Sequence, residues 1–182
     1  LNKSELTFEK KVIDYLTQIG GTKQWEYRPE IKDTEALWDN FKRILEQNNR
    51  GRLDKELSIV EFNQVKRVIN QLDTPYKAGQ FLYGVNGVSQ VEVDLDNGEH
   101  VFLTVFDQAQ VGGGNTVYQV VNQIEREKVI PGKPNRRFDV TLLINGLPII
   151  QIELKSAMRP ANEALNQMEQ YIAERQYSGI FS

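Results

Sequence analysis

The sequence predicts an α/β domain, helical in its first half and strand-rich in its second, on three observations. Apolar residues recur three and four apart in segments 7–19, 34–47 and 58–72, the spacing that puts them on one helix face. Beyond Gly87 the period changes to two, with Val91, Val93 and Leu95 alternating with polar residues. Finally, two β-branched runs flank Asn145-Gly146, a dipeptide that favours the tight turn of an antiparallel hairpin.

The elements follow in order. Phe8, Val12, Tyr15, Leu16 and Ile19 form the stripe expected of the first helix, which Gly20-Gly21 ends. Glu5 and Glu9 border that stripe and read either as solvated helix charge or, for Glu9, as an acid lent to a neighbouring site. The second helix carries Leu37, Trp38, Phe41, Ile44 and Leu45 and stops at the polar break 47–51. Ser58 and Glu61 have the spacing of a capping box and open the third, which ends before Pro75. A turn and a short helix are expected between Thr74 and Gly87. The strands at 91–95 and 101–106 join through Asp96-Asn97-Gly98, a third strand covers 116–124, and 125–135 reads as a loop into the hairpin. A last helix is expected over 161–176, and 177–182 resembles the start of another strand, so the chain reads as a single domain, 1–182, cut from a longer subunit.

Composition excludes several functions. The 182 residues are 40% hydrophobic and 26% charged and contain no cysteine, which rules out disulfide frameworks and thiolate chemistry. No apolar run approaches the roughly 20 residues of a membrane helix, so a cytoplasmic chain with no membrane partner is expected. A net charge of -3 argues against indiscriminate nucleic-acid binding, which draws its affinity from basic surface. It leaves room for a nuclease whose carboxylates are offset by a metal, with Lys133, Arg136 and Arg137 as local phosphate contacts. Gly112-Gly113-Gly114 is not followed by the Gly-Lys-Ser/Thr of a phosphate loop, so no ATP hydrolysis is expected of this chain alone. The single histidine, His100, has no second histidine or triad context and reads as structural.

The chemistry concentrates on the hairpin. Asp139 opens its first strand, and Glu153 and Lys155 share one face near the end of its second, with Ile150, Ile152 and Leu154 on the other. Glu-x-Lys alone is weak, since Glu9-Lys10-Lys11 and Glu30-Ile31-Lys32 repeat it. Register decides whether the acids can meet. A flat hairpin closed by a two-residue turn puts Asp139 opposite Ile152, away from Glu153. A three-residue loop puts it opposite Gln151, and a compensating bulge at Pro148 would also bring the acids to one face. Two converging carboxylates suit a hard divalent ion such as magnesium, with Lys155 orienting water or stabilising charge on phosphorus. The alternative is a salt-bridged structural patch.

These residues resemble the PD-(D/E)xK nuclease signature. Arg136-Arg137-Phe138-Asp139, Asn145-Gly146-Leu147-Pro148, Glu153-Leu154-Lys155-Ser156 and Gln167-Met168-Glu169-Gln170-Tyr171 are similar, more narrowly, to the N-terminal nuclease region of the restriction subunit of type I restriction-modification enzymes. Gln-x-x-x-Tyr narrows the field, although RecB-type nucleases share it. Asn122-Gln123 fits the strand before the site, and Glu9 fits the acid often supplied by the first helix. The match is strongest over residues 116–182.

The resemblance implies a restriction-endonuclease-like core, a central mixed β-sheet flanked by helices. It further implies magnesium-dependent endonucleolytic cleavage of double-stranded DNA, with manganese as a substitute ion, and assembly with modification and specificity subunits. ATP-driven translocation would belong to domains absent from this chain. Asp139, Glu153 and Glu9 would ligate the metal, Lys155 would be the catalytic lysine, and Gln167 and Tyr171 would position DNA or the metal site. Phe138 stands where the family usually has proline before the acid. A RecB-like or repair nuclease, and a catalytically silent DNA-binding or docking module, are the competing readings.

Overall fold

The computed structural model describes residues 3–18, 25–111, 115–126 and 136–154. Four α-helices are present among them: α1 (Lys3–Gln18), α2 (Thr34–Asn48), α3 (Ile59–Asn70) and α4 (Pro75–Tyr83). The strands are β1 (Trp25–Tyr27), β2 (Val88–Asp94), β3 (His100–Asp107), β4 (Tyr118–Arg126), β5 (Arg136–Ile144) and β6 (Leu147–Ile152). The main sheet has the order β1-β4-β5-β6, and β2 and β3 form a separate hairpin. β1 runs parallel to β4, while β4, β5 and β6 are antiparallel neighbours. The architecture is thus the mixed α/β one expected, with the helical half first, and it is consistent with a restriction-endonuclease-like core. None of the described helices is long and apolar enough to cross a membrane.

Local chemistry explains the helix boundaries. Asp33 caps α2 by accepting from the Ala36 amide, and Thr74 caps α4, with Pro75 in its first turn. Ser58 and Glu61 form the expected reciprocal box at the start of α3. Glu61 also accepts from the Asp96 amide at 2.8 Å, which ties this helix to the turn between β2 and β3. These hydrogen bonds hold its carboxyl below the usual carboxylate range against the opposing effect of burial, the Asp96 bond contributing most.

Two apolar clusters flank the main sheet. Leu37, Trp38, Phe41 and Leu45 of α2 pack with Phe62, Val65 and Ile69 of α3, the inner face of β2–β3, and Val121, Ile124, Leu143 and Leu147. Ile13 of α1 packs with Val120, Val140, Leu142 and Leu154. A buried amide pair, Asn40 with Gln119 at 2.8 Å, joins α2 to β4.

The first helix departs from expectation. It begins a turn earlier than 7–19, and its buried face carries Glu5, Glu9 and Ile13, while Phe8 and Tyr15 are 47% and 68% exposed. Counting apolar residues misplaces the face because two carboxylates occupy it. One of them, Glu9, is held by hydrogen bonds that repay its burial. Two smaller differences concern strands: Glu125 and Arg126 belong to β4 rather than to a loop, and β5 starts at Arg136.

Candidate active site

The hairpin closes with a two-residue turn. Asn145 and Gly146 have φ of 50° and 80°, Ile144 pairs with Leu147 and Leu143 with Pro148. The turn is anchored twice. The Asn145 side chain accepts from the Val117 amide and donates to the Val105 carbonyl, and a Cβ on Gly146 would lie 2.8 Å from Phe41 Cα.

The register then shifts. Leu142 pairs with Ile150 rather than Ile149, and Val140 with Ile152, so Ile149 is an extra residue on β6. Continued one step, this register sets Asp139 opposite Glu153, and opposite residues of an antiparallel pair share a face. A bulge beside Pro148, not a three-residue loop, therefore satisfies the condition, and the partner position is Glu153 itself rather than Gln151. The bulge also corrects the expected apolar face: Ile150 is 47% exposed on β6, the edge strand among the described residues, Ile152 is half-buried, and of the three only Leu154 is buried.

Asp139 is 7% exposed and its Oδ2 accepts from the Leu154 amide at 2.6 Å. The carboxylate thus fastens the end of β6 to β5. Its Oδ1 lies 3.5 Å from Gln123 Nε2, and the same nitrogen donates to Glu9 Oε2 at 2.6 Å. Asn122 donates to the other oxygen of Glu9, also at 2.6 Å. Glu9 is accordingly 4% exposed, not solvated helix charge, and α1 is the element that delivers it.

Gln123 has an unusual backbone. Its φ is 55°, a left-handed conformation that costs a non-glycine residue roughly 1–2 kcal/mol. The register of β4 with β5 is the same on both sides of it, Asn122 with Val140 and Ile124 with Phe138, so no residue is inserted. The side-chain alternation nonetheless inverts. Val120 packs on the α1 side, Val121 on the other, and Ile124 joins Val121 instead of Val120.

Lys32 completes the network. Its Nζ donates to the Asn122 carbonyl at 2.7 Å and to Asn122 Oδ1 at 2.5 Å, and Tyr27 Oη donates to that same Oδ1 at 3.0 Å. Partial burial pulls the Lys32 ammonium below its ordinary value, with Glu9 and Glu30 opposing. Burial and the nearby Glu9 push the Tyr27 phenol up, against its hydrogen bond to Asn122. No sequence signal singled out Tyr27, and Glu30-Ile31-Lys32 reads in sequence as a loop repeat of Glu-x-Lys. Only contact with Asn122 of β4, 90 and 95 residues away from Lys32 and Tyr27, gives these residues their place.

The structure brings Glu9, Gln123 and Asp139 together and sets Glu153 across from Asp139. Among the described residues, however, no three His, Asp or Glu side chains form a group able to hold a metal. Both oxygens of Glu9 are engaged by carboxamide donors, Asn122 on one and Gln123 on the other. Lys155, Gln167 and Tyr171 lie outside the described residues, as do Lys133 and the side chains of Arg136 and Arg137. His100 is spent elsewhere, its Nδ1 2.7 Å from Asp94 on an exposed strand pair. A polar hollow lined by Asn49, Arg52, Thr104 and Asn145 opens near the hairpin tip, away from the carboxylates.

A mixed sheet whose hairpin carries two acids at opposite positions, with helices packed against it, is consistent with a restriction-endonuclease-like α/β core. Sequence comparison makes this specific: the chain belongs to the family described as type I restriction enzyme R protein N terminus, which matches residues 2–182. It is 31% identical over 182 residues to the type I restriction enzyme SauMSSORF170P endonuclease subunit of Staphylococcus aureus (strain MSSA476), covering 98% of this chain and 17% of that subunit. It is 30% identical over 183 residues to the SsaAORF53P endonuclease subunit of Staphylococcus saprophyticus, with 98% and 17% coverage. The EcoprrI endonuclease subunit of Escherichia coli is 29% identical over 184 residues, covering 94% of this chain and 50% of that subunit. The chain thus spans about a sixth of the staphylococcal relatives it matches.

Proposed function

We propose that this chain is the nuclease module of a type I restriction subunit and hydrolyses phosphodiester bonds of double-stranded DNA in a magnesium-dependent reaction. The observation that carries the reading is the Ile149 bulge, which sets Asp139 opposite Glu153 in a chain of this family. The same β6 paired without the bulge would set Asp139 opposite Ile152 and turn the acids to opposite faces.

The donor set fits the ion. Magnesium takes hard oxygen ligands and commonly needs only one or two carboxylates, its remaining positions going to water and substrate phosphate. Asp139 and Glu153 would hold it. When bound, it would supply Lewis-acid polarisation of the phosphate and a more acidic water. Asp139 is oriented for this by the Leu154 amide and Gln123, and Glu153 is carried by the strand end that the same amide bond fastens. Glu9 holds the two carboxamides of Asn122 and Gln123. Lys155, two residues beyond Glu153, is assigned the stabilisation of charge on phosphorus, and Gln167 and Tyr171 the positioning of DNA. Manganese would substitute for magnesium. Translocation driven by ATP, and docking to modification and specificity subunits in the cytoplasm, belong in this proposal to the whole subunit.

The test is cleavage of supercoiled plasmid by the full subunit with its partners, ATP and magnesium. Asp139→Ala and Lys155→Ala are each expected to lower the rate at least about a hundredfold, the scale set by losing a charge-stabilising group. Normal cutting by both variants would remove the proposed site.

A further inference from the structure

We infer that Lys32 is a positioning residue for the Asp139 carboxylate, acting through Asn122 and Gln123. The inference rests on the reading of Asp139 as a site residue and adds a brace that Glu-x-Lys patterning does not reveal.

The argument begins with a gap in the sheet. β1 pairs with β4 only from Trp25 to Tyr27, and the next parallel contacts are Arg28 N to the Val120 carbonyl and Glu125 N to the Lys32 carbonyl, at 2.9 and 2.8 Å. Between them residues 29–31 turn away, the Ile31 amide reaching back to Arg28. The Asn122 carbonyl lies in that gap, where an unmet acceptor would be costly. Lys32 Nζ supplies the donor that the ladder omits, at 2.7 Å.

That carbonyl belongs to the peptide unit joining Asn122 to Gln123. Fixing its plane fixes the entry to Gln123, whose left-handed φ persists only where the surroundings over-determine it. The same ammonium holds Asn122 Oδ1, leaving the Asn122 amide nitrogen directed at Glu9. Glu9 in turn takes the Gln123 amide that also reaches Asp139. Two oxygens of one residue, the side-chain and backbone carbonyls of Asn122, are gripped by one multi-donor cation. Methionine, of similar length but without an N–H, can donate to neither.

The consequence is a rate effect without a binding effect. In the full subunit assembled with its partners, Lys32→Met is expected to lower the single-turnover rate of plasmid cleavage about 10–100-fold, as loss of an outer-shell support does. The half-saturating DNA concentration should stay unchanged. Lys32→Arg, which keeps the charge and several donors, should restore most of the rate. In an Asn122→Ala background, Lys32→Met should have little further effect, because both act along one route. Melting checks that each variant is folded at the assay temperature, and Lys32→Gln replaces Lys32→Met if that variant is not.

A normal rate in Lys32→Met beside a dead Asp139→Ala would overturn this inference and leave the site standing. Normal rates in both would overturn the site reading as well. A change confined to DNA affinity, or full additivity with Asn122→Ala, would overturn the route through Asn122.

Discussion

At the scale of single residues, the site depends on one backbone oddity. Gln123 adopts a left-handed φ and so presents its amide to Glu9 and Asp139 at once. Replacing it separates strain from function. Gln123→Gly should melt higher than Gln123→Ala by an amount equivalent to about 1 kcal/mol, because glycine occupies that region without steric cost. Both should lose cleavage activity, since neither carries the amide. Equal melting temperatures would show that the conformation is not strained. None of this was legible beforehand, because a positive φ in a strand of ordinary composition leaves no mark in the sequence. Asp139 and Glu153 were legible, since two acids flanking an Asn-Gly turn on a buried hairpin stand out against apolar neighbours. The burial of Glu9 was not, because its partners are more than 100 residues away.

At the scale of elements, the periods in the sequence located the helices and strands well but could not set their rotation or register. The Ser58–Glu61 box was readable because its partners are three residues apart, and it formed as expected. Its acid has a pH consequence. The Glu61 carboxyl titrates below its unfolded value, chiefly through the Asp96 amide. The stability it contributes is fully present above the unfolded value of about 4.3 and is lost as pH falls through the lower, folded value. Glu61→Gln should therefore flatten the acid limb of the stability curve below about pH 4.3, followed by melting temperature against pH. An acid limb as steep as that of the wild type would contradict the assignment. The face of α1, by contrast, was misjudged because apolar periodicity carries no information about buried carboxylates. The β6 bulge was anticipated only as one of several ways to reconcile Asn145-Gly146 with a shared face.

At the scale of the whole molecule, the two ends of the β5–β6 hairpin do different work. Its tip is locked to α2 at Phe41 and to the β3 side at Val105, while the carboxylates sit about 20 Å away at the rise per residue of a strand. Gly146→Ala should consequently destabilise the fold by more than about 1 kcal/mol, since alanine is incompatible with the positive φ and crowds the α2 backbone, read as a lower denaturant midpoint. The central claim concerns the other end, namely the proposal that Asp139 and Glu153 form one cation site. The most direct measurement is thermal melting of the subunit, without nucleotide, across a magnesium or manganese titration. Metal at a hundredfold over its dissociation constant should stabilise the wild type by about 2.7 kcal/mol. The account predicts that this rise disappears in both Asp139→Ala and Glu153→Ala, whereas an undiminished rise in the two variants would contradict it.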